Sequence, residues 1–207
     1  MRIVVLAQGR SSRLPGKHHL HVGGEAILGR VLRLAAEISD DVVLVARCVP
    51  EYVQYDAAIY TDERPAGNTL DRLWNTRHLW GGEAPRYHQS LVLLGDVVYS
   101  PEALRLAAAE PHPGRVTFVG RTQTNRCTGK VGAEIYALRL GVAAGLIVRQ
   151  HLEVAERRLS RGGKLWGLRE DLAASSAWRE TDDYTDDVDT MEDLRAMECY
   201  AETGGLR

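Results

Sequence analysis

Arg2-Ile3-Val4-Val5-Leu6-Ala7 runs straight into Gln8-Gly9-Arg10-Ser11-Ser12-Arg13-Leu14-Pro15-Gly16-Lys17, and this junction decides how the whole chain reads. A short continuous apolar run suits a strand buried on both faces, the habit of parallel sheets covered by helices. Runs of the same kind recur at Asp41 to Ala46, Ala57 to Tyr60, Ser90 to Leu94, Arg115 to Val119 and Val131 to Leu138. Helical patterns separate them. Ile27, Val31, Leu34, Ala35 and Ile38 fall at helical spacing, as do Leu70, Leu73 and Trp74 behind Asn68 as an N-cap. Ser100-Pro101-Glu102 opens another helix with a capping serine, a first-turn proline and an acid at the positive end of the dipole. Gly141 to Arg161 reads as the longest helix, while 81–85 and 110–114 are loops on chemical grounds. The alternation predicts an α/β protein: three layers, with a mostly parallel, Rossmann-like sheet between helices.

The chain has 207 residues, 44% hydrophobic and 26% charged, which suits one globular domain. Its 26 Lys and Arg against 28 Asp and Glu leave a net charge of −2, so a general nucleic-acid binder is not expected. No apolar stretch approaches the roughly 20 residues of a transmembrane helix. The first apolar run is too short for a secretory signal, and a cytoplasmic location is expected. Cys48, Cys127 and Cys199 are too scattered for a disulfide framework or a metal knuckle and read as reduced, packed side chains.

The first loop has phosphate-binding chemistry. Gly9 and Gly16 permit backbone approach, Ser11 and Ser12 offer hydroxyls and amides, and Arg10, Arg13 and Lys17 bring positive charge. It is neither a P-loop, because His18 stands where a magnesium-binding Ser or Thr belongs, nor a dinucleotide GxGxxG. His18, His19 and His21 read as a polar edge rather than a metal site, and the four tryptophans as packing residues.

Leu6-Ala7-Gln8-Gly9-Arg10-Ser11-Ser12-Arg13-Leu14, with Pro15-Gly16-Lys17 and Val22-Gly23-Gly24-Glu25-Ala26-Ile27, resembles the opening signature of nucleotidyltransferases that activate sugar phosphates and alcohol phosphates. Arg13-Leu14-Pro15-Gly16-Lys17 is similar to the cytidylyltransferase branch, including synthetases of CMP-linked acidic sugars and spore-coat polysaccharide proteins. Gln8 and Glu25-Ala26 depart from that pattern. Thr69-Leu70-Asp71-Arg72-Leu73 resembles a segment near the base pocket of the spore-coat branch, although a surface Asp71-Arg72 pair accounts for it equally well. Leu93-Leu94-Gly95-Asp96 is an apolar strand ending in a carboxylate, at the tip where α/β folds bind ligands. Asp187-Val188-Asp189-Thr190-Met191-Glu192-Asp193-Leu194 resembles the family's closing block. Helix capping by Thr190 with Asp193 explains its second half but leaves Asp187 and Asp189 without a structural role.

The resemblance implies a nucleotide-binding half over about 1–110 and an acceptor half over about 111–207. It implies nucleotide contacts from Leu6, Ala7, Gln8, Gly9, Arg10, Ser11, Ser12, Arg13, Lys17, Asp71 and Arg72, with Arg13, Lys17 and Asp96 as catalytic groups. Mg²⁺ or Mn²⁺ would sit on Asp96 and Asp189, with Asp187 a further ligand through water. Arg121, Arg126 and Lys130 would hold the acceptor. The partners implied are an NTP, with CTP favoured, and a small phosphorylated or acidic-sugar acceptor; a homodimer through the later strands is implied by analogy. Two alternatives stand beside this: a glycosyltransferase of similar architecture, which Asp187-Val188-Asp189 formally suits, and a catalytically silent nucleotide- or sugar-binding module.

Overall fold

The computed structural model describes residues 1–7, 13–47, 50–62, 68–80, 89–111, 114–156 and 165–206. In chain order the elements are β1 (Arg2–Leu6), β2 (His21–Val22), β3 (Glu25–Ala26), α1 (Ile27–Ala36), β4 (Val42–Ala46), β5 (Ala58–Thr61), α2 (Thr69–Asn75) and α3 (Arg77–Trp80). There follow β6 (Gln89–Leu94), β7 (Val97–Val98), α4 (Pro101–Ala108), β8 (Val116–Arg121), β9 (Glu134–Gly141), α5 (Val142–Glu156), α6 (Leu165–Asp171), β10 (Ser176–Glu180), β11 (Asp186–Asp187) and α7 (Met191–Glu202).

Seven strands form the central sheet in the order β10-β8-β9-β6-β1-β4-β5. All neighbours are parallel except β9, which runs against both β6 and β8. Because side chains alternate across a strand, Ile3 and Val5 pack on one face with α1 and α4, while Val4 and Leu6 pack on the other with α2, α3, α5 and α6. Continuous apolar runs are what such a doubly covered sheet requires, and the three-layer α/β/α architecture follows.

Several boundaries differ from the sequence reading for local reasons. Val131 is 86% exposed and Gly132 takes φ 113, so the strand expected from Val131 begins only at Glu134 and runs on through Gly141. The helix expected from Gly141 therefore starts at Val142; its far end, 157–164, lies outside the described residues. Strand β5 is not a buried central strand but the sheet edge, with Ala58, Ile59 and Thr61 exposed. Strand β10 and helix α6 were not anticipated. Ser176 to Glu180 is too polar to stand out, and it becomes a strand by pairing with β8.

A third, smaller hydrophobic cluster sits away from the two sheet faces: Leu14, Val22, Ile27, Val98, Tyr184, Val188 and Met197. It anchors the segments on which the site is built.

Candidate functional site

The site forms where β1 and β6 end. The amide of Gly95 donates to the Leu6 carbonyl (2.9 Å), and a Cβ at Gly95 would lie 3.0 Å from that oxygen and 3.1 Å from Ala7 Cβ. A side chain there would make the end of β1 give way by a few tenths of an ångström, so glycine suits the close approach of the β6 turn. The close approach sets Asp96 beside the first loop. That loop returns through Gly16, at φ 68, into a tight 3₁₀ turn over Lys17–His19. From the far end of the chain, β11 pairs antiparallel with β7, Asp187 opposite Val97, and the Val188 amide donates to the Asp96 carbonyl (3.3 Å). Leu14, Val98 and Val188 enter the third cluster, while Arg13 and Asp187, which precede Leu14 and Val188, both reach Asp189.

Lys17 is the centre of the arrangement. Its Nζ lies 2.6 Å from Asp96 Oδ2 and 3.0 Å from Asp189 Oδ1, and Arg13 Nη2 lies 2.6 Å from Asp189 Oδ2. Burial alone would push the ammonium down, yet the two carboxylates outweigh it and hold Lys17 above its ordinary value. Asp189 is likewise held below the usual carboxylate range, burial being overcome by the hydrogen bond and charge of Lys17. A second lysine stands alongside: Lys130 Nζ lies 2.9 Å from Asp187 Oδ1, 2.7 Å from the Asp187 carbonyl and 3.1 Å from Asp193 Oδ2. Burial, reinforced by the neighbouring Asp189 charge, raises the Asp187 carboxyl to about 7 despite Lys130, and it hydrogen-bonds to Asp189.

Among the sequence candidates, Arg13, Lys17, Asp96, Lys130, Asp187 and Asp189 come together. Arg72, on α2, is half-buried and feels the charge of Asp96; its Nε is buried without a hydrogen-bond partner among the described residues. Asp71 closes a capping box with Asn68 at the start of α2. Leu6 and Ala7 contribute backbone, the Ala7 carbonyl accepting from the Tyr52 hydroxyl (2.9 Å). Gln8, Gly9, Arg10, Ser11 and Ser12 lie outside the described residues, as does Cys48.

Arg121 does not face the site. It is 3% exposed and spends its donors inside the fold, on the Tyr136 hydroxyl, the carbonyls of Gln123, Lys130 and Gly132, and the fully buried Asp186. Arg126 pairs at the surface with Asp182 (2.7 Å), both exposed. His18 is not part of a polar edge either. The 3₁₀ turn folds it inward to 3% exposure against Tyr52, and burial pushes its imidazole down to about 4. Of the described cysteines, Cys127 packs against Met197 Sδ (3.6 Å), whereas Cys199 is exposed rather than packed. Tyr52, Asp186 and the inward turn of His18 were missed because each depends on partners distant in sequence.

The donor set fits a divalent cation. Two carboxylates converge on one position where the Lys17 ammonium already stands, and hard oxygen donors are what Mg²⁺ takes. Among the described residues, no group of three or more His, Cys, Asp or Glu could hold an ion unaided, so phosphate and water oxygens would have to complete the shell. Nor is any described helix long and apolar enough to cross a membrane.

A mostly parallel α/β sheet with opposed cations and carboxylates at its strand tips defines the class, an α/β nucleotide-diphospho-sugar transferase fold. Residues 3–175 match the MobA-like NTP transferase domain, and the chain belongs to that family; it is a nucleotidyltransferase. Similar solved structures include a Bacillus anthracis protein assigned as a glucose-1-phosphate thymidylyltransferase, at 14% identity and TM-score 0.68, covering 97% of this chain and 94% of that one. Another is the 4-diphosphocytidyl-2C-methyl-D-erythritol synthase of Anaerococcus prevotii, at 13% identity and TM-score 0.65, covering 97% of each chain. A third is a CMP:2-keto-3-deoxy-manno-octonic acid synthetase complexed with CTP, at 17% identity and TM-score 0.58, covering 98% of each chain. No curated protein matches the sequence.

Proposed function

We propose that this nucleotidyltransferase moves CMP from CTP to a small phosphorylated or acidic-sugar acceptor, releasing pyrophosphate, with Mg²⁺ or Mn²⁺ on Asp96 and Asp189. The observation that carries the reading is the meeting of Lys17 with Asp96 and Asp189, residues from the start, the middle and the far end of the sequence, beside the end of β6. When bound, the metal supplies charge neutralisation at the α-phosphate. Arg13 and Lys17 neutralise the other phosphate oxygens, and Lys130 holds the acceptor's anionic group beside them. An acceptor phosphate is already ionised at neutral pH and needs no protein base, whereas an acidic-sugar hydroxyl gives up its proton, to water or to a site carboxylate, as it bonds to the α-phosphorus and pyrophosphate leaves. Catalysis is then a matter of holding two anionic reactants in line.

The test is a screen of the four NTPs against pooled sugar phosphates and acidic sugars, with inorganic pyrophosphatase and phosphate detection. Phosphate release that depends on both acceptor and CTP supports the proposal. Release with another NTP replaces the base; nucleotide binding without release marks a silent module.

A further inference from the structure

The position best suited to the metal is occupied by a side chain. The Lys17 ammonium touches both Asp96 and Asp189, and the lysine is 5% exposed, so it is not a passing surface contact. Mg²⁺ binds oxygen at about 2.0–2.1 Å, and an ion shared by those two carboxylates would fall within the space the ammonium fills.

Charge leads to the same result. Asp96 and Asp189 supply two negative charges, Lys17 and Arg13 two positive ones, so this half of the site is neutral as it stands. Arg72 adds positive potential toward Asp96. A divalent ion entering alone would add two positive charges to a balanced cluster whose lysine and carboxylates are mostly buried, though Arg13 is exposed. A metal entering with a triphosphate arrives inside an anionic complex, and that complex gives both Lys17 and Arg13 new partners. The lysine and the metal compete for the same carboxylates, whereas the lysine and the phosphates attract.

We propose that Lys17 is an internal stand-in for the metal, so that metal and nucleotide enter together: the triphosphate draws Lys17 off Asp96 and Asp189, and the vacated carboxylates take the ion. The proposal rests on the metal reading given above. It makes Lys17 a determinant of binding order as well as a phosphate contact. Coupling between two ligands is reciprocal, so the nucleotide must improve metal affinity by the factor by which metal improves nucleotide affinity.

The experiment is Mn²⁺ binding, followed by the electron paramagnetic resonance signal of the free ion, in wild type and in Lys17→Met. Each is measured alone, with α,β-methylene-CTP, and with inorganic tripolyphosphate as an arm independent of the base. Wild type should bind Mn²⁺ at least about tenfold more tightly with either triphosphate than without. Lys17→Met, free of the competitor, should bind Mn²⁺ alone at least tenfold more tightly than wild type and lose most of the gain from nucleotide. Lys17→Gln replaces it if the Met variant does not fold, and the wild-type arms stand independently of either. Mn²⁺ binding that is equally tight with and without triphosphate, or no tighter after removal of the lysine, overturns the stand-in. Failure of wild type to bind Mn²⁺ under any arm, with Asp96→Asn unchanged from it, overturns the metal reading beneath it.

Discussion

Two lysines stand side by side in this site, each held by two aspartates, and they are held differently. Lys17 is gripped by Asp96 and Asp189 through their side-chain carboxylates alone, and Asp189 also meets Arg13 and the Asp187 carboxyl. Lys130 is gripped by Asp187, through carbonyl as well as carboxylate, and by Asp193, which is also the capping-box acid of α7. Behind Lys130 stands further scaffolding: Arg121 holds its carbonyl, and Asp186, next to Asp187, holds Arg121. One lysine is thus restrained by groups that can change partners, the other by groups tied to the backbone. An ammonium that must exchange carboxylate for phosphate suits the first arrangement; a fixed electrostatic landmark for a second substrate suits the other.

The strongest way to break the comparison is to remove the scaffold behind Lys130. Arg121→Met leaves the fully buried Asp186 without its cation, and losing one partner of such a pair costs about 3–5 kcal/mol. Urea unfolding should show a loss of that size. A shift below about 1 kcal/mol would mean that Tyr136, Thr128 and the Asp187 amide satisfy Asp186 without the arginine.

Next is the Lys17 side. Asp96→Asn is nearly isosteric but a poor hard-cation ligand, so turnover should fall at least about a hundredfold with the unfolding midpoint scarcely lowered. Asp189→Asn should behave alike and Glu192→Gln should not, because Glu192 lies in the first turn of α7 beside the capping box. If Glu192→Gln is the more damaging, the division between ligation and capping is drawn in the wrong place.

Lys130→Ala sharpens the contrast with a smaller effect. It should raise KM for the acceptor about tenfold while changing KM for the NTP less than about twofold, whereas Lys17→Ala should act mainly through the NTP. Equal effects of both variants on both substrates would dissolve the distinction between the two lysines.

How far the sequence went follows the same division. Strands β1 and β6, the Gly95-Asp96 turn and the capping of α7 were legible because each is written in contiguous residues: an apolar run, a glycine before an acid, a Thr three residues before an Asp. The edge strand β10, the inward turn of His18 and the internal use of Arg121 were not. A polar pentapeptide becomes a strand only beside β8, and a cation next to a polar loop looks the same whether it faces a ligand or a buried aspartate 65 residues away. Apolar periodicity reports which side of an element is buried, but not which long-range partner a charged group finds.

The smallest expected effect separates the two sides by pH. His18, packed beside Lys17, titrates near 4 in the fold against an ordinary value of 6.5. The folded protein therefore binds fewer protons than the unfolded chain between pH 4 and 6.5, and the His18 contribution is lost as pH falls through that window. Asp187, on the Lys130 side, titrates near 7 in the fold against 3.8. There the folded protein binds more protons, so stability is lost as pH rises from about 4 to 7. By linkage the contributions between pH 8 and pH 5 amount to about 2 kcal/mol for His18 and about 3 kcal/mol for Asp187, with opposite sign, so in the ligand-free wild type they largely offset each other. The variants should tilt the profile in opposite directions. His18→Asn removes the loss on acidification, so its unfolding free energy should rise from pH 8 to pH 5. Asp187→Asn removes the gain, and its unfolding free energy should fall over the same range. Slopes of the same sign in the two variants would show that at least one of these groups is not held by its surroundings as the geometry around Lys17 and Lys130 requires.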